Sequence, residues 1–232
     1  MKKQWCLGQI NSAFIARMEA LLHLYSLPYD LDYPVVCFDE RPCFLIGDVR
    51  APRLMKPKDI KKEHYEYEKN GSCVVMSAIE PLTGKRFTRV FSQRRKVEYA
   101  EFMNELVKTY SQAKKIRLVQ DNLNTHNASS FYQEFLAEEA FGLAQHFDFY
   151  YTPKSGSWLN MIEIEFSALS KQCLNRRIPT QEELEKEVLA WTAHRNEKAV
   201  KINWQFSIQS ARNKLNRHYE KINSTNSKYK ET

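Results

Sequence analysis

The sequence predicts an α/β protein whose sheet gathers acidic residues at the carboxyl ends of its strands, on three observations. Two short apolar runs, rich in β-branched residues, each end in an aspartate: Val35-Val36-Cys37-Phe38-Asp39 and Ile116-Arg117-Leu118-Val119-Gln120-Asp121. Two further β-rich runs, Cys73 to Ile79 and Phe87 to Phe91, flank the turn residues of Glu80-Pro81-Leu82-Thr83-Gly84-Lys85, the pattern of a hairpin. Helical periodicities alternate with these runs, giving the order strand, hairpin, helix, strand, helix, strand, helix.

Along the chain, Phe14, Ile15, Met18, Leu21, Leu22 and Tyr25 recur at helical spacing, so residues 11–26 form an amphipathic helix before the turn at Pro28. Its stripe is core, a contact with a second copy, or a lead-in from an upstream domain. Arg50 to Gly71 carries Lys56, Lys58, Lys61, Lys62 and Lys69 among Tyr65 and Tyr67. It reads as an extended surface loop, solvated or placed to grip phosphates and stack on bases. After Arg94-Arg95-Lys96, the positions Tyr99, Phe102, Met103, Leu106 and Tyr110 mark a helix leading to the strand that ends at Asp121. Asn127 caps another helix with Phe131, Phe135 and Leu136 inward, and Phe147 to Tyr151 is a strand closed by Pro153. Thr180-Gln181-Glu182-Glu183 has capping-box spacing ahead of Leu184, Val188 and Trp191, and a last helix spans about Ile208 to Tyr219. The tail from Ser224 has nothing to bury and is expected to be disordered.

At 232 residues, 43% of them hydrophobic, the chain is long enough for one sizeable core. No apolar run approaches the roughly 18 residues that span a bilayer, and no secretory signal follows Met1-Lys2-Lys3. The expectation is a protein with no membrane partner. Five scattered cysteines, Cys6, Cys37, Cys43, Cys73 and Cys173, form no C-x-x-C pair, which suits reduced thiols in cytoplasm. A net charge of +7 favours polyanionic partners, nucleic acid among them.

If the two aspartate-ended strands are neighbours, their carboxylates sit side by side and repel, an arrangement that a cation stabilises. Magnesium or manganese fits hard oxygen ligands. Two-metal phosphoryl transfer needs acids from several elements. The third acid lies in Ser155-Gly156-Ser157-Trp158-Leu159-Asn160-Met161-Ile162-Glu163-Ile164-Glu165-Phe166, which passes from a turn into a helix with Leu159, Ile162, Phe166, Leu169 and Cys173 buried. Glu163 and Glu165 fall on opposite shoulders of that stripe, and periodicity does not choose between them.

The wording around these acids resembles the DDE transposases of the Tc/mariner superfamily, and most closely the bacterial insertion sequence 630 family. The matching stretches are Val35 to Glu40, Gln120-Asp121-Asn122-Leu123-Asn124-Thr125-His126, and Thr152-Pro153-Lys154 through Glu165. Glu80-Pro81-Leu82-Thr83-Gly84, Gln172 to Ile178 and Ile202 to Ser207 extend the likeness from Trp5 to about Tyr219. The resemblance implies a ribonuclease-H-like mixed five-stranded sheet flanked by helices, with the first and fourth strands adjacent. Its Leu-Asn-x-x pattern places the third acid at Glu163, so that Asp39, Asp121 and Glu163 hold two Mg2+ or Mn2+ ions. It implies nicking at element ends and transfer of the freed 3′-hydroxyl into target DNA, usually at TA, by an oligomer on DNA bearing terminal inverted repeats. Cytoplasmic, nucleoid-associated action follows.

Full-length members carry N-terminal helix-turn-helix domains, so the resemblance divides this chain into a linker-helix region at 1–33, a catalytic domain at 34–222 and a tail at 223–232. Two alternatives are a remnant that binds DNA and regulates an intact transposase, and another ribonuclease-H-like nuclease or integrase. Around the acids, Glu40, Asn122 and His126 are supporting candidates, although Glu40 also reads as a surface charge and Asn122 and His126 as turn and cap residues. Lys56, Arg94, Arg95, Lys154 and Trp158 are DNA-facing candidates. Against that, Arg94 and Arg95 read as a solvated helix start and Trp158 as a cover for the sheet.

Overall fold

The apolar runs become five strands of one mixed sheet in the order β3-β2-β1-β4-β5. The computed structural model describes residues 8–50, 64–123 and 125–229, so Lys56 and Asn124 lie outside the described residues. The strands are β1 (Val35–Asp48), β2 (Tyr67–Glu80), β3 (Lys85–Phe91), β4 (Ile116–Gln120) and β5 (Phe147–Tyr151). β1, β2 and β3 are antiparallel neighbours, and β4 and β5 extend the sheet in parallel from the other edge of β1.

Two strands run further than the sequence pattern suggests. β1 continues nine residues past Asp39, to Asp48, and its partner β2 starts at Tyr67, inside the stretch expected to be loop. The physical reason is one-sided pairing. β4 matches β1 only at Val35, Val36 and Cys37, and beyond that point β1 pairs with β2 alone. Pro42, opposite Val74, then sits in a strand with one open edge, where a missing N–H is tolerated. The β2–β3 turn closes at Gly84, whose φ of +79° suits glycine, and a Cβ there would lie 2.7 Å from the Ala199 carbonyl carbon.

Helices cover both faces. Val36, Phe38, Met76 and Leu118 pack on one face against α2 (Lys96–Thr109), α3 (Phe131–Glu134) and α4 (Ala137–Gln145). Phe131 is buried and Phe135 partly so, but Leu136, expected inward, is exposed because α3 ends at Glu134 and the chain turns there. Cys37, Val75 and Val119 face the other way, toward α1 (Ser12–Ser26), α5 (Ile162–Gln172) and α6 (Gln181–Glu197). α7 (Ile208–Lys214) and α8 (Asn216–Ile222) complete that layer, breaking the single helix expected there at Leu215, whose side chain is buried. Each fully buried Leu, Ile or Phe in these layers contributes about 1.5–3 kcal/mol relative to exposure.

The first helix docks on the body of the chain. Asn11 caps α1 by accepting from Phe14 N, Tyr25 Oη donates to the Leu159 carbonyl at 2.9 Å, and Glu19 accepts from Arg212 at 2.8 Å and Tyr219 at 2.6 Å. Thr180 caps α6 as its spacing predicts, accepting from Glu183 N. Ser224–Tyr229, expected without regular structure, turns through a 3₁₀ segment. The described cysteines, Cys37, Cys43, Cys73 and Cys173, are free and buried. Among the described residues no helix is long and apolar enough to cross a membrane.

Candidate active site

Strand pairing brings the chain segments that lead into Asp39 and Asp121 side by side. Cys37 lies opposite Val119 at the end of the parallel β1–β4 pairing, Asp39 and Asp121 each follow two residues further on, and the charge of Asp121 acts on Asp39. Side chains alternate faces, so Asp39 shares the face of Cys37, which α5 covers, while Asp121 follows the end of β4.

α5 is tied to this spot by Asn160, which is 1% exposed. Its Nδ2 donates to the carbonyl of Phe38, the residue before Asp39, at 2.8 Å. The asparagine of the Leu-Asn-x-x-Glu stretch therefore fixes where the helix starts relative to β1. Leu159, Ile162, Phe166, Leu169 and Cys173 are buried as their spacing predicts. Glu163 and Glu165 separate onto the two shoulders of the helix. Glu163 is exposed and its charge acts on Asp39, whereas Glu165 is 1% exposed and accepts from Arg86 Nε and Arg195 Nε, each at 2.6 Å. A carboxylate gripped by two guanidiniums is not available to an ion at the sheet edge. Replacing Asn160 with alanine would leave the buried Phe38 carbonyl unsatisfied, and the expected cost is about 1–3 kcal/mol of stability, read from a urea unfolding midpoint.

The electrostatics tie the three acids together. Burial, with the charges of Asp121 and Glu163, pushes the Asp39 carboxyl up to about 7, against the Glu40 N–H that donates to its Oδ1 at 2.8 Å. Burial also raises Glu163, opposed by the charge of Arg41. Arg41 lies two residues beyond Asp39 on the same face of β1, and it was not singled out in the sequence because its neighbour Glu163 is remote in the chain.

His126 is fully buried behind Asp121. Its Nδ1 contacts Asp121 Oδ1 at short range, and its Nε2 lies 3.5 Å from Glu40 Oε2. The ring stacks on Tyr99 with centroids 5.1 Å apart and meets Phe38 edge-on at 5.3 Å. Burial alone would lower its pKa, but the hydrogen bonds and charges of Asp121 and Glu40 outweigh it and raise the ring to about 9. Gln120 completes the backing, accepting from Tyr99 Oη at 2.9 Å and donating to the His126 carbonyl at 2.8 Å. Glu40 in turn accepts from Arg94 at 3.3 Å, so a chain of charges runs from exposed Arg94 inward to Asp121.

The other candidates fall in different places. Asn122 is exposed next to Asp121. Arg95 is bound to Glu98 at the start of α2, a helix-capping arrangement. Lys154 is exposed on the loop after β5. Trp158, 38% exposed, packs edge-on against Phe206 at 5.6 Å.

Among the described residues, no three histidine, cysteine or acidic side chains stand close enough to enclose an ion unaided. The donor set fits a hard divalent cation nonetheless. Asp39, Asp121 and Glu163 offer carboxylate oxygens from two adjacent strands and a facing helix, and their mutual repulsion is what a cation relieves.

Residues 34–185 match the family model of the DDE superfamily endonucleases, and the chain belongs to that superfamily. Its fold is similar to that of the Mos1 mariner transposase catalytic domain, ribonuclease-H-like as the family resemblance implies. The Mos1 paired-end complex with the left transposon end, 13% identical, aligns over 100% of this chain and 67% of that one with a TM-score of 0.58. The Mos1 paired-end complex with Mn is 14% identical, with a TM-score of 0.57 over 100% and 68% of the two chains. A pre-cleavage Mos1 transpososome gives 14%, 0.54, 100% and 68%. No curated protein matches the chain in sequence.

Proposed function

We propose that this chain is the catalytic part of a DNA transposase of the insertion sequence 630 branch. In this reading Asp39, Asp121 and Glu163 hold two Mg2+ or Mn2+ ions and cut and join DNA at element ends, with TA as target. The observation that carries the proposal is that Asp39 and Asp121 follow directly on the paired ends of β1 and β4, with Asp39 pushed up to about 7 by its burial and by the charges of Asp121 and Glu163. When bound, such ions activate the attacking oxygen and stabilise the leaving oxygen of an in-line displacement.

The chain's own residues supply the rest. His126 fixes one oxygen of Asp121 and leaves the other for a ligand, and the Glu40 N–H does the same for Asp39. Asn160 sets the height of Glu163 over the strands. The Mos1 complexes that share the fold are paired-end complexes, one of them with the left transposon end, which supports DNA as partner and a homo-oligomer acting on it. Residues 1–33 then form the linker-helix region, 34–222 the catalytic domain and 223–232 a tail, acting on the bacterial nucleoid in the cytoplasm.

Incubation with labelled duplex carrying an element end, a target plasmid and Mg2+ tests the reading. Joining of the labelled end to the plasmid is expected. Nicking without joining would assign a different ribonuclease-H-like nuclease, and neither product under conditions of tight DNA binding would assign a regulatory remnant.

Proton linkage adds a second test. Asp39 titrates near 7 in the folded protein and near ~3.9 in an unfolded chain. The native state therefore binds the extra proton between those values, and without metal its stability falls as pH rises from about 4 to about 7. Asp39→Asn is expected to flatten that part of the profile. Adding Mg2+ or Mn2+ is expected to raise the melting temperature of the wild type above pH 7 and to leave the variant nearly unmoved. A wild-type melting temperature indifferent to metal would contradict the site.

A further inference from the structure

The loop after β5 and the first half of α1 enclose a cleft of about 490 Å³ that the three acids do not use. Phe14 lies in one wall with Gln9 and Arg17, and Lys154 and Ser155 form part of the other. Among the described residues no acidic side chain lines it. The loop leaves β5 at Tyr151, which lies level with Gln120, so this loop and Asp121 follow the ends of neighbouring strands.

The cleft brings two cations together. Arg86, Arg94, Arg176, Arg177, Arg195 and Arg212 each have a carboxylate partner. Arg17 and Lys154 are exposed, and neither side chain has a hydrogen-bond or ion-pair partner among the described residues. Two cations facing one cleft without a counter-ion repel each other, and a ligand bearing regularly spaced negative charge removes that cost. The donors beside them, the Gln9 amide and the Ser155 hydroxyl, suit phosphate oxygens.

We propose that this cleft seats the sugar-phosphate backbone of a DNA strand, with Arg17 and Lys154 each neutralising one phosphate. The inference rests on the DNA-cleaving reading above and adds a subsite to it, built from the first helix as well as the sheet edge. Such contacts carry no sequence information, so they hold the strand in place whatever its bases.

The test is the salt dependence of duplex binding, followed by fluorescence anisotropy in EDTA for the wild type, Arg17→Gln, Lys154→Gln and the double variant. Each released phosphate contact lowers the slope of log K against log salt by about 0.9 for B-form DNA. Each single variant is expected to lose about one unit of slope and the double variant about two, on any duplex sequence. Both residues are exposed, and an unchanged melting temperature checks the fold. Lys114→Gln with Lys115→Gln removes equal charge at the opposite end of β4, where the lysines pair with Asp32 and Asp148, and is expected to keep the wild-type slope. A double variant with the wild-type slope would overturn the cleft while leaving the DNA reading standing. A wild type without salt-dependent affinity for duplex DNA would overturn both.

Discussion

Asp39→Asn is expected to abolish metal-dependent DNA cleavage while leaving duplex affinity close to that of the wild type. An asparagine keeps the size and one carbonyl oxygen of the side chain but removes the charge that faces Asp121 and Glu163. Charge stabilisation by a bound metal is worth several kcal/mol, and each ~1.4 kcal/mol is tenfold in rate, so the loss should reach about 10³-fold or more. Asp121→Asn carries the same expectation, with a further effect on His126, which loses its charged partner. DNA affinity is set by phosphate contacts and not by the acids, and removing a buried negative charge gives no reason for it to weaken. Single-turnover cleavage of an end-labelled duplex beside anisotropy binding separates the two quantities. Cleavage by Asp39→Asn at the wild-type rate would remove Asp39 from the chemistry.

The second large effect is structural and falls on the neighbouring acid. Glu165→Leu is expected to destabilise the fold by about 3–5 kcal/mol, the cost of leaving buried charge unpaired. The Arg86 side chain is 0% exposed and binds Glu165 through Nε at 2.6 Å and Nη2 at 3.1 Å, while Arg195 binds through Nε at 2.6 Å and Nη2 at 3.0 Å. Arg86 also donates to the Val200 carbonyl at 2.6 Å. One carboxylate thus joins α5, β3 and α6.

Burial pushes Glu165 up, but the hydrogen bonds and charges of Arg86 and Arg195 outweigh it and hold its pKa below the usual glutamate value. Its stabilisation is therefore present at neutral pH and lost as the solution becomes acid. Since α5 carries Glu163, cleavage should fall in parallel with the loosened helix. Glu165→Leu combined with Arg86→Met should cost less than the sum of the singles, because each alone strands the other's charge. A urea midpoint for Glu165→Leu within about 0.5 kcal/mol of the wild type would show that the triad does not hold the layers together.

The strands bearing Asp39 and Asp121, the hairpin at Gly84 and the buried stripe of α5 were all legible in local pattern, because each depends on side chains within a few positions. The choice between Glu163 and Glu165 was not legible by periodicity, which puts the two on equivalent shoulders. What separates them in the fold is Arg86 on one strand and Arg195 on a late helix, 79 and 30 residues away, and only the assembled layers bring those charges together. Likeness to a family chose Glu163, and the burial of Glu165 gives the physical reason for the same choice.

The length of β1 was missed for a related reason. Glu40-Arg41-Pro42 reads as a break in isolation, yet pairing with β2 alone carries the strand on to Asp48. Asn160 and Arg41 also went unremarked as supports of the site, since the backbone carbonyl and the glutamate they serve lie far off in sequence. His126 was visible only as a histidine after an aspartate. Its place between Asp121 and Glu40, stacked on Tyr99, depends on β4, β1 and α2 meeting.

Crystals of the protein soaked in Mn2+ and measured at the manganese absorption edge give the most direct test of the site. The expected result is anomalous density between Asp39 and Asp121, about 2.0–2.3 Å from their carboxylate oxygens, with Glu163 turned toward it and Glu165 still held by Arg86 and Arg195. Manganese bound only elsewhere, in crystals of a protein that cleaves DNA with Mn2+, would contradict the three-acid centre.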